Sequence, residues 1–287
     1  MNDDLAVDAP AFDADASTSG RIPIGRQLSA LTALFWLSLR QLIRGRRLIV
    51  LSCLYCLPVA LVILVRAVES HFQAADAEFV ILFVLIPHTL VPFTALLYST
   101  GVIHDEIEEQ TLTYLLVRPL PKWGIYFTKL LAAMLLAMAL ATVFTTISYA
   151  AVYWSEPALW GEIVPKRALQ VAGITCLALI AYCSIFGCLS FLSRWPLVIG
   201  IGYIALFEGL LANIDFAVRR LTVNYYFRVL IQDWVGRSRL EWRLNPADVP
   251  TSSTCLLILL IASAVATALA IIVFTTREFR VKTPEGS

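Results

Sequence analysis

Apolar residues along this chain fall into long uninterrupted runs separated by short polar stretches. They lack the scattered spacing that a water-soluble core produces. Runs of about twenty or more such residues are long enough to cross a bilayer as helices. The pattern predicts six of them, at about 48–68, 79–103, 126–154, 168–192, 196–216 and 254–275. Pro58 interrupts the first. Pro87 and Pro92 flank His88 in the second, and two prolines five apart predict a kinked or hinged helix. Pro196 opens the fifth. In the last, Ala262, Ala266 and Ala270 recur one turn apart, a spacing of small residues that permits close helix contact.

Two shorter stretches have a helical period without the length of a span. Over 26–45, Leu28, Leu31, Phe35, Leu39 and Leu42 share a face opposite Arg40 and Arg44, with Leu37 off the pattern. That predicts a helix lying on the membrane surface. Between the fifth and sixth runs, Val223, Tyr226, Phe227, Leu230, Ile231 and Trp234 form an apolar stripe, with Asn224, Arg228 and Gln232 away from it and Gly236 as a stop. It reads as an amphipathic helix on the outer leaflet or as a re-entrant piece. Residues 1–25 carry Asp3, Asp4, Asp8, Asp13 and Asp15 among small residues and read as a disordered cytoplasmic tail. The expected class is therefore all-α integral membrane. It has a single six-span domain over 26–287 and no soluble domain.

Orientation follows from the arginines nearest the span ends. Arg44, Arg46 and Arg47 precede the first span, and Arg277, Arg280 and Lys282 follow the last. Both termini are expected in the cytoplasm, in a cytoplasmic or inner membrane. The basic residues of Ala217–Ser253 run against that tendency. Glu69–Glu78 reads as a short acidic outer loop, and Tyr149, Tyr153, Trp154 and Trp160 as an aromatic belt at the outer end of the third span.

Composition narrows the function. The 287 residues are 59% hydrophobic with a mean hydropathy of +0.77, and a net charge of +1 gives no electrostatic case for a nucleic-acid partner. No G-x-x-x-x-G-K-S/T string is present to cradle a nucleotide. The six cysteines all lie within apolar runs, so Cys53-x-x-Cys56 reads as packing in a membrane helix, with no second ligand pair for a metal. The three histidines have no catalytic set around them, which speaks against an intramembrane enzyme.

The polar insert His104–Lys129, HDEIEEQTLTYLLVRPLPKWGIYFTK, joins the second and third spans. Asp105, Glu106, Glu108 and Glu109 open it. A short helical pattern through Leu112, Leu115 and Leu116 ends at Arg118–Pro119, because proline lacks an N–H and disfavours a helical residue before it. Pro121 is placed to begin the next helix. The carboxylates suit the positive end of a helix dipole, and they also suit a basic groove on a partner; both readings fit together. As a metal or catalytic site they lack histidine company beyond His104.

This insert resembles the membrane subunits of type 2 ATP-binding-cassette exporters, which often carry an acidic–x–G-T-L-E-Y-L-L-x-R-P-x-x-R pattern and then a lysine as the third span begins. Thr111, Leu112, Tyr114, Leu115, Leu116, Arg118, Pro119 and Lys129 fall on it, with Gln110, Thr113 and Lys122 at positions usually held by glycine, an acid and arginine. The resemblance is specific over about 25 residues. It implies two permease subunits, the second a copy of this chain or a homologue. Separate ATPase subunits, which bind the ATP and magnesium, would dock on the Asp105–Lys122 element and the Ser193–Trp195 turn. This chain itself would hold no cofactor.

Within the spans, Glu208 is the most conspicuous residue, because a carboxylate at mid-membrane depth is costly unless paired, wet or protonated. It reads as a polar point on a substrate path or as a packing residue bonded to a neighbouring helix. His88 is an expected partner, and Asn213 and Asp215 lie nearer the outer end. The resemblance implies that the second and fifth spans line the path. A non-transporting membrane scaffold is the alternative, and it would have no need of polar groups at mid-span.

Overall fold

The structure, a computed structural model, describes residues 24–68, 73–108, 121–161, 163–191, 195–211, 217–236, 242 and 249–276. Helix α1 is Ile24–Arg44 and α2 is Arg46–Val68, with Gly45 at the bend between them. Helix α3 runs without a break through Ala74–Ala77, Glu78–Leu90 and Val91–Glu108, its middle section wound as a π-helix. Lys122–Val152 is α4 and Ile163–Leu189 is α5. Pro196–Leu210 is α6, eight α-helical residues followed by seven in π form. Val223–Val235 is α7 and Ser252–Thr276 is α8. No strand occurs among the described residues.

Five of the expected runs, in α2, α3, α4, α5 and α8, are helices long and apolar enough to cross a membrane. The fifth run differs. Its helix α6 is shorter, and at 1.5 Å per residue an α-helix of that size reaches only ~22 Å, against ~30 Å of hydrocarbon. Residues 212–216 of the expected run lie outside the described residues, and Glu208, near the end of α6, accepts from the first backbone N–H groups of α7.

Helix α5 is the axis of the bundle. It packs against α3, α4 and α8 and carries buried residues along its whole length, from Val164 to Gly187. The outer helices bury single stripes. In α2 the stripe is Leu51, Tyr55, Pro58 and Val62, while Ile49, Leu57, Leu61 and Leu64 face outward. That division suits a helix with lipid on its far side, where exposed leucine costs nothing. In α8 the packing stripe is Cys255, Leu259, Ser263, Ala270 and Phe274. Of the expected alanine stripe only Ala270 is buried, and Ala262 is exposed. Helix α6 approaches α3 closely at Gly200, where an added Cβ would come within 2.0 Å of Leu96 Cδ1.

Helix α1 packs against α4 and buries Leu34 and Ser38. Leu28, Trp36, Leu37 and Ile43 remain exposed on it, so Leu37, which breaks the apolar periodicity, lies on the side turned away from the bundle. The helix starts at Ile24, inside the stretch expected as a tail.

Helix α7 does not rest on a surface. Every residue from Val223 to Gln232 is buried, polar and apolar faces alike, against α5, α8 and the π section of α3. The segment is a helix tucked into the bundle, which differs from the expectation of a helix on the outer leaflet. Its Asn224–Arg228–Gln232 stripe is covered by other helices.

The expected outer loop and aromatic belt are also partly internal. Glu78 belongs to α3 and is buried, accepting hydrogen bonds from Tyr149 Oη at 3.1 Å, Tyr153 Oη at 2.9 Å and Arg167 Nη1 at 3.4 Å. Tyr149 and Tyr153 therefore point inward. Trp154 and Trp160 pack edge to face at the surface, and Trp160 Nε1 donates to the Tyr153 carbonyl at 2.8 Å. A buried carboxylate outcompetes the interface for two tyrosine hydroxyls, because leaving it unbonded costs more than leaving them in water.

Candidate functional site

Two polar groupings stand out, one inside the bundle and one at the end where α1 meets α2. The internal one is built around the start of α7. The first backbone N–H groups of a helix have no partner within it and carry its positive dipole end. Glu208 meets them. Its Oε1 accepts from Val223 N and its Oε2 from Asn224 N, each at 3.2 Å. Thr222 Oγ1 accepts from Tyr225 N at 3.3 Å, so three successive donors are satisfied. At the other end Gly236 closes the helix in the left-handed conformation, with φ of 76°.

One turn further along the same stripe, the Arg228 guanidinium lies within electrostatic reach of Glu208, and Tyr182 of α5 faces the same carboxylate. Arg228 Nη2 also donates to Nε2 of His88. Nδ1 of His88 lies 3.0 Å from the Val84 carbonyl. A guanidinium only donates and a carbonyl only accepts, so this pattern requires a neutral imidazole with its proton on Nδ1. His88 and Glu208 thus lie in one cluster. Their link runs through Arg228 and not through a direct bond. Both sit in π-wound sections, a form that concentrates at functional positions in helices. The amides of Asn224 and Gln232 continue the stripe, buried, with no hydrogen-bond partner among the described residues.

The second grouping stands where α3 approaches the insert. Arg47 of α2 donates from Nη2 to Asp105 Oδ1 at 2.6 Å, with about a third of each side chain exposed. The guanidinium crosses α3 at Gly101, where an added Cβ would fall 1.7 Å from Nη1. Lys129 of α4 is buried nearby, and Ser38, Gln41 and Arg46 complete the lining of a cavity of about 420 Å³.

Asp105 and Lys122, the latter exposed at the first turn of α4, are therefore placed. Pro121 sits one position before that helix. Glu106 and Glu108 lie on α3, with side chains outside the described residues. Glu109, Thr111, Leu112, Tyr114, Leu115, Arg118 and Pro119 lie outside the described residues, as do Ser193, Asn213 and Asp215. Arg228 and Glu78 were not singled out as site residues in the sequence. The Tyr149/Tyr153 pair, one helical turn apart, was the available signal for Glu78.

An all-helical bundle of long apolar spans, with lipid-suited outer faces and a buried polar cluster, is that of a multi-pass membrane protein. The particular family is shown by residues 32–279, which match the family described as ABC-2 family transporter protein, and the chain belongs to it. It is thus a permease component of an ABC transporter, a transport subunit and not a catalytic one. No curated protein matches this chain.

Proposed function

We propose that this permease works in export, from a cytoplasmic or inner membrane with both termini in the cytoplasm. Two permease subunits, copies or homologues, would enclose a path between them. Separate ATPases, holding the ATP and magnesium, would dock on the Asp105–Lys122 element and the 193–195 turn. The observation that carries this reading is the continuity of α3. One helix runs from the Arg47–Asp105 pair beside the insert to His88 in the internal cluster, and on to Glu78 at the far end. A displacement of the insert would reach the polar cluster along one continuous helix. Nucleotide would favour one of two arrangements of the bundle by binding the ATPases more tightly in it.

Glu208 and His88, with Asn213 further along the same run, are the path residues in this reading. The unmet amides of Asn224 and Gln232 support it, because buried polar groups without partners suit a surface that polar cargo or water visits. The test has two arms. Charge reversal at Glu106 and Glu109 should abolish co-purification of the ATPase while leaving the permease in the membrane. Glu208→Gln should lower transport or ATPase stimulation with the protein still present at normal level. Undiminished co-purification, or unaltered transport, would remove the corresponding residue from the mechanism.

A further inference from the structure

We infer that the groove between α4 and α8 seats an acyl chain of a bilayer phospholipid. No residue of α3 or α6 lines it, so it stands apart from the path residues Glu208 and His88. Its origin is a change of side-chain size along two neighbouring helices. Helices α4 and α8 meet at Tyr126 and Phe274, both buried, with ring centroids 6.0 Å apart. Those rings set the spacing of the two helices. Further along, α8 presents the small side chains Ser263, Ala264, Thr267 and Ala268, too short to fill the gap to α4. The space left is a cavity of about 480 Å³, floored by Ile180 and Ser184 of α5.

The lining names the chemistry of the occupant. Among the described residues, none that lines the groove is charged. The hydroxyl protons are committed within the protein: Thr267 Oγ1 donates to Ser184 Oγ at 3.2 Å, Ser184 Oγ to the Ile180 carbonyl at 2.8 Å and Ser263 Oγ to the Leu259 carbonyl at 2.7 Å. No donor in the walls is left seeking a polar partner. The facing wall is Phe127, Leu131, Met134 and Met138 of α4. Met134 and Met138 are the only methionines of the chain after Met1. Their unbranched thioethers adapt to an irregular apolar surface, as a flexible hydrocarbon chain requires.

Place and length favour a lipid chain over other apolar occupants. All three helices are long and apolar enough to cross a membrane, and Phe127 and Leu131 of the groove wall keep 45% and 40% of their surface exposed. The mouth of the groove therefore faces bilayer hydrocarbon. From Phe127 to Met138, α4 rises ~16 Å at 1.5 Å per residue, close to one leaflet of a ~30 Å hydrocarbon core. The stretch that follows α8 carries Arg277, Glu278, Arg280, Lys282 and Glu285, too polar a sequence to fill an apolar slot.

The test uses the full-length protein with isotope-labelled methionine methyls, held in a fluorinated surfactant whose tails mix poorly with hydrocarbon. Dipalmitoylphosphatidylcholine, dipalmitoylphosphatidylglycerol and the chainless glycerophosphocholine are titrated in turn and followed by NMR. The Met134 and Met138 methyl signals are expected to shift and saturate at the same affinity for both lipids, and to stay unmoved with glycerophosphocholine. Ala264→Phe and Ala268→Phe, each filling the groove from α8, should weaken binding about tenfold. Ala262→Phe, exposed on α8 but outside the lining, should leave it unchanged. Shifts that never saturate, shifts produced by glycerophosphocholine, a clear preference for one headgroup, or undiminished binding in both groove variants would each overturn the assignment. The three wild-type titrations decide it even where a variant fails to fold.

Discussion

The two polar groupings use the same chemistry, an arginine near a carboxylate, in opposite surroundings. Arg47 and Asp105 bond directly at 2.6 Å, each about one-third exposed, at the rim of a polar cavity. Glu208 and Arg228 are buried, with Glu208 accepting from the start of α7 and Arg228 donating to His88. The half-exposed pair is expected to be the weaker of the two. Water screens a half-exposed pair, whereas removal of one member of a buried network strands the others without solvent.

The sharpest way to break this contrast is Glu208→Ala, which removes the anion opposite Arg228 and uncovers two helix donors. It should cost roughly 3–5 kcal/mol, seen as a large fall in melting temperature in detergent. Glu208→Gln should cost less, because its carbonyl oxygen still meets one N–H while its amide opposes the other. A double-mutant cycle with Arg228→Met then measures the coupling, expected at about 1–3 kcal/mol. A value near zero would mean that the guanidinium serves His88 alone. At the far end of α3, Tyr153→Phe should cost about 1 kcal/mol, since Glu78 keeps Tyr149 and Arg167. The smallest effect belongs to Asp105→Asn. It is expected at no more than about 1 kcal/mol and should fade as salt is raised. A salt-insensitive loss there would show that the pair is drier than its exposure implies.

Much of the fold was legible because apolar run length is set by bilayer thickness, and five of the runs became helices of the expected extent. What run length cannot express is which residue a polar group meets. Glu78 sits at the edge of an apolar run and reads as a loop acid until two tyrosines of α4 converge on it. Arg228 reads as the solvent face of an amphipathic helix, and only the packing of α7 against α3 and α5 reveals a cation inside the bundle. Glu208 was visible for the opposite reason. A lone carboxylate in a long apolar run conflicts with everything around it, and such conflicts survive without any knowledge of neighbours.

The π winding of α3 through Leu90 has a mechanical consequence. A π ring holds one more residue than an α ring, so shifting a single hydrogen bond from i+5 to i+4 leaves the rod continuous but turns everything beyond it about the long axis. Val91–Glu108 is what lies beyond. The junction ahead of Pro92, whose ring can donate nothing to either register, is thus a natural swivel, able to convert a tug along the shaft into a twist.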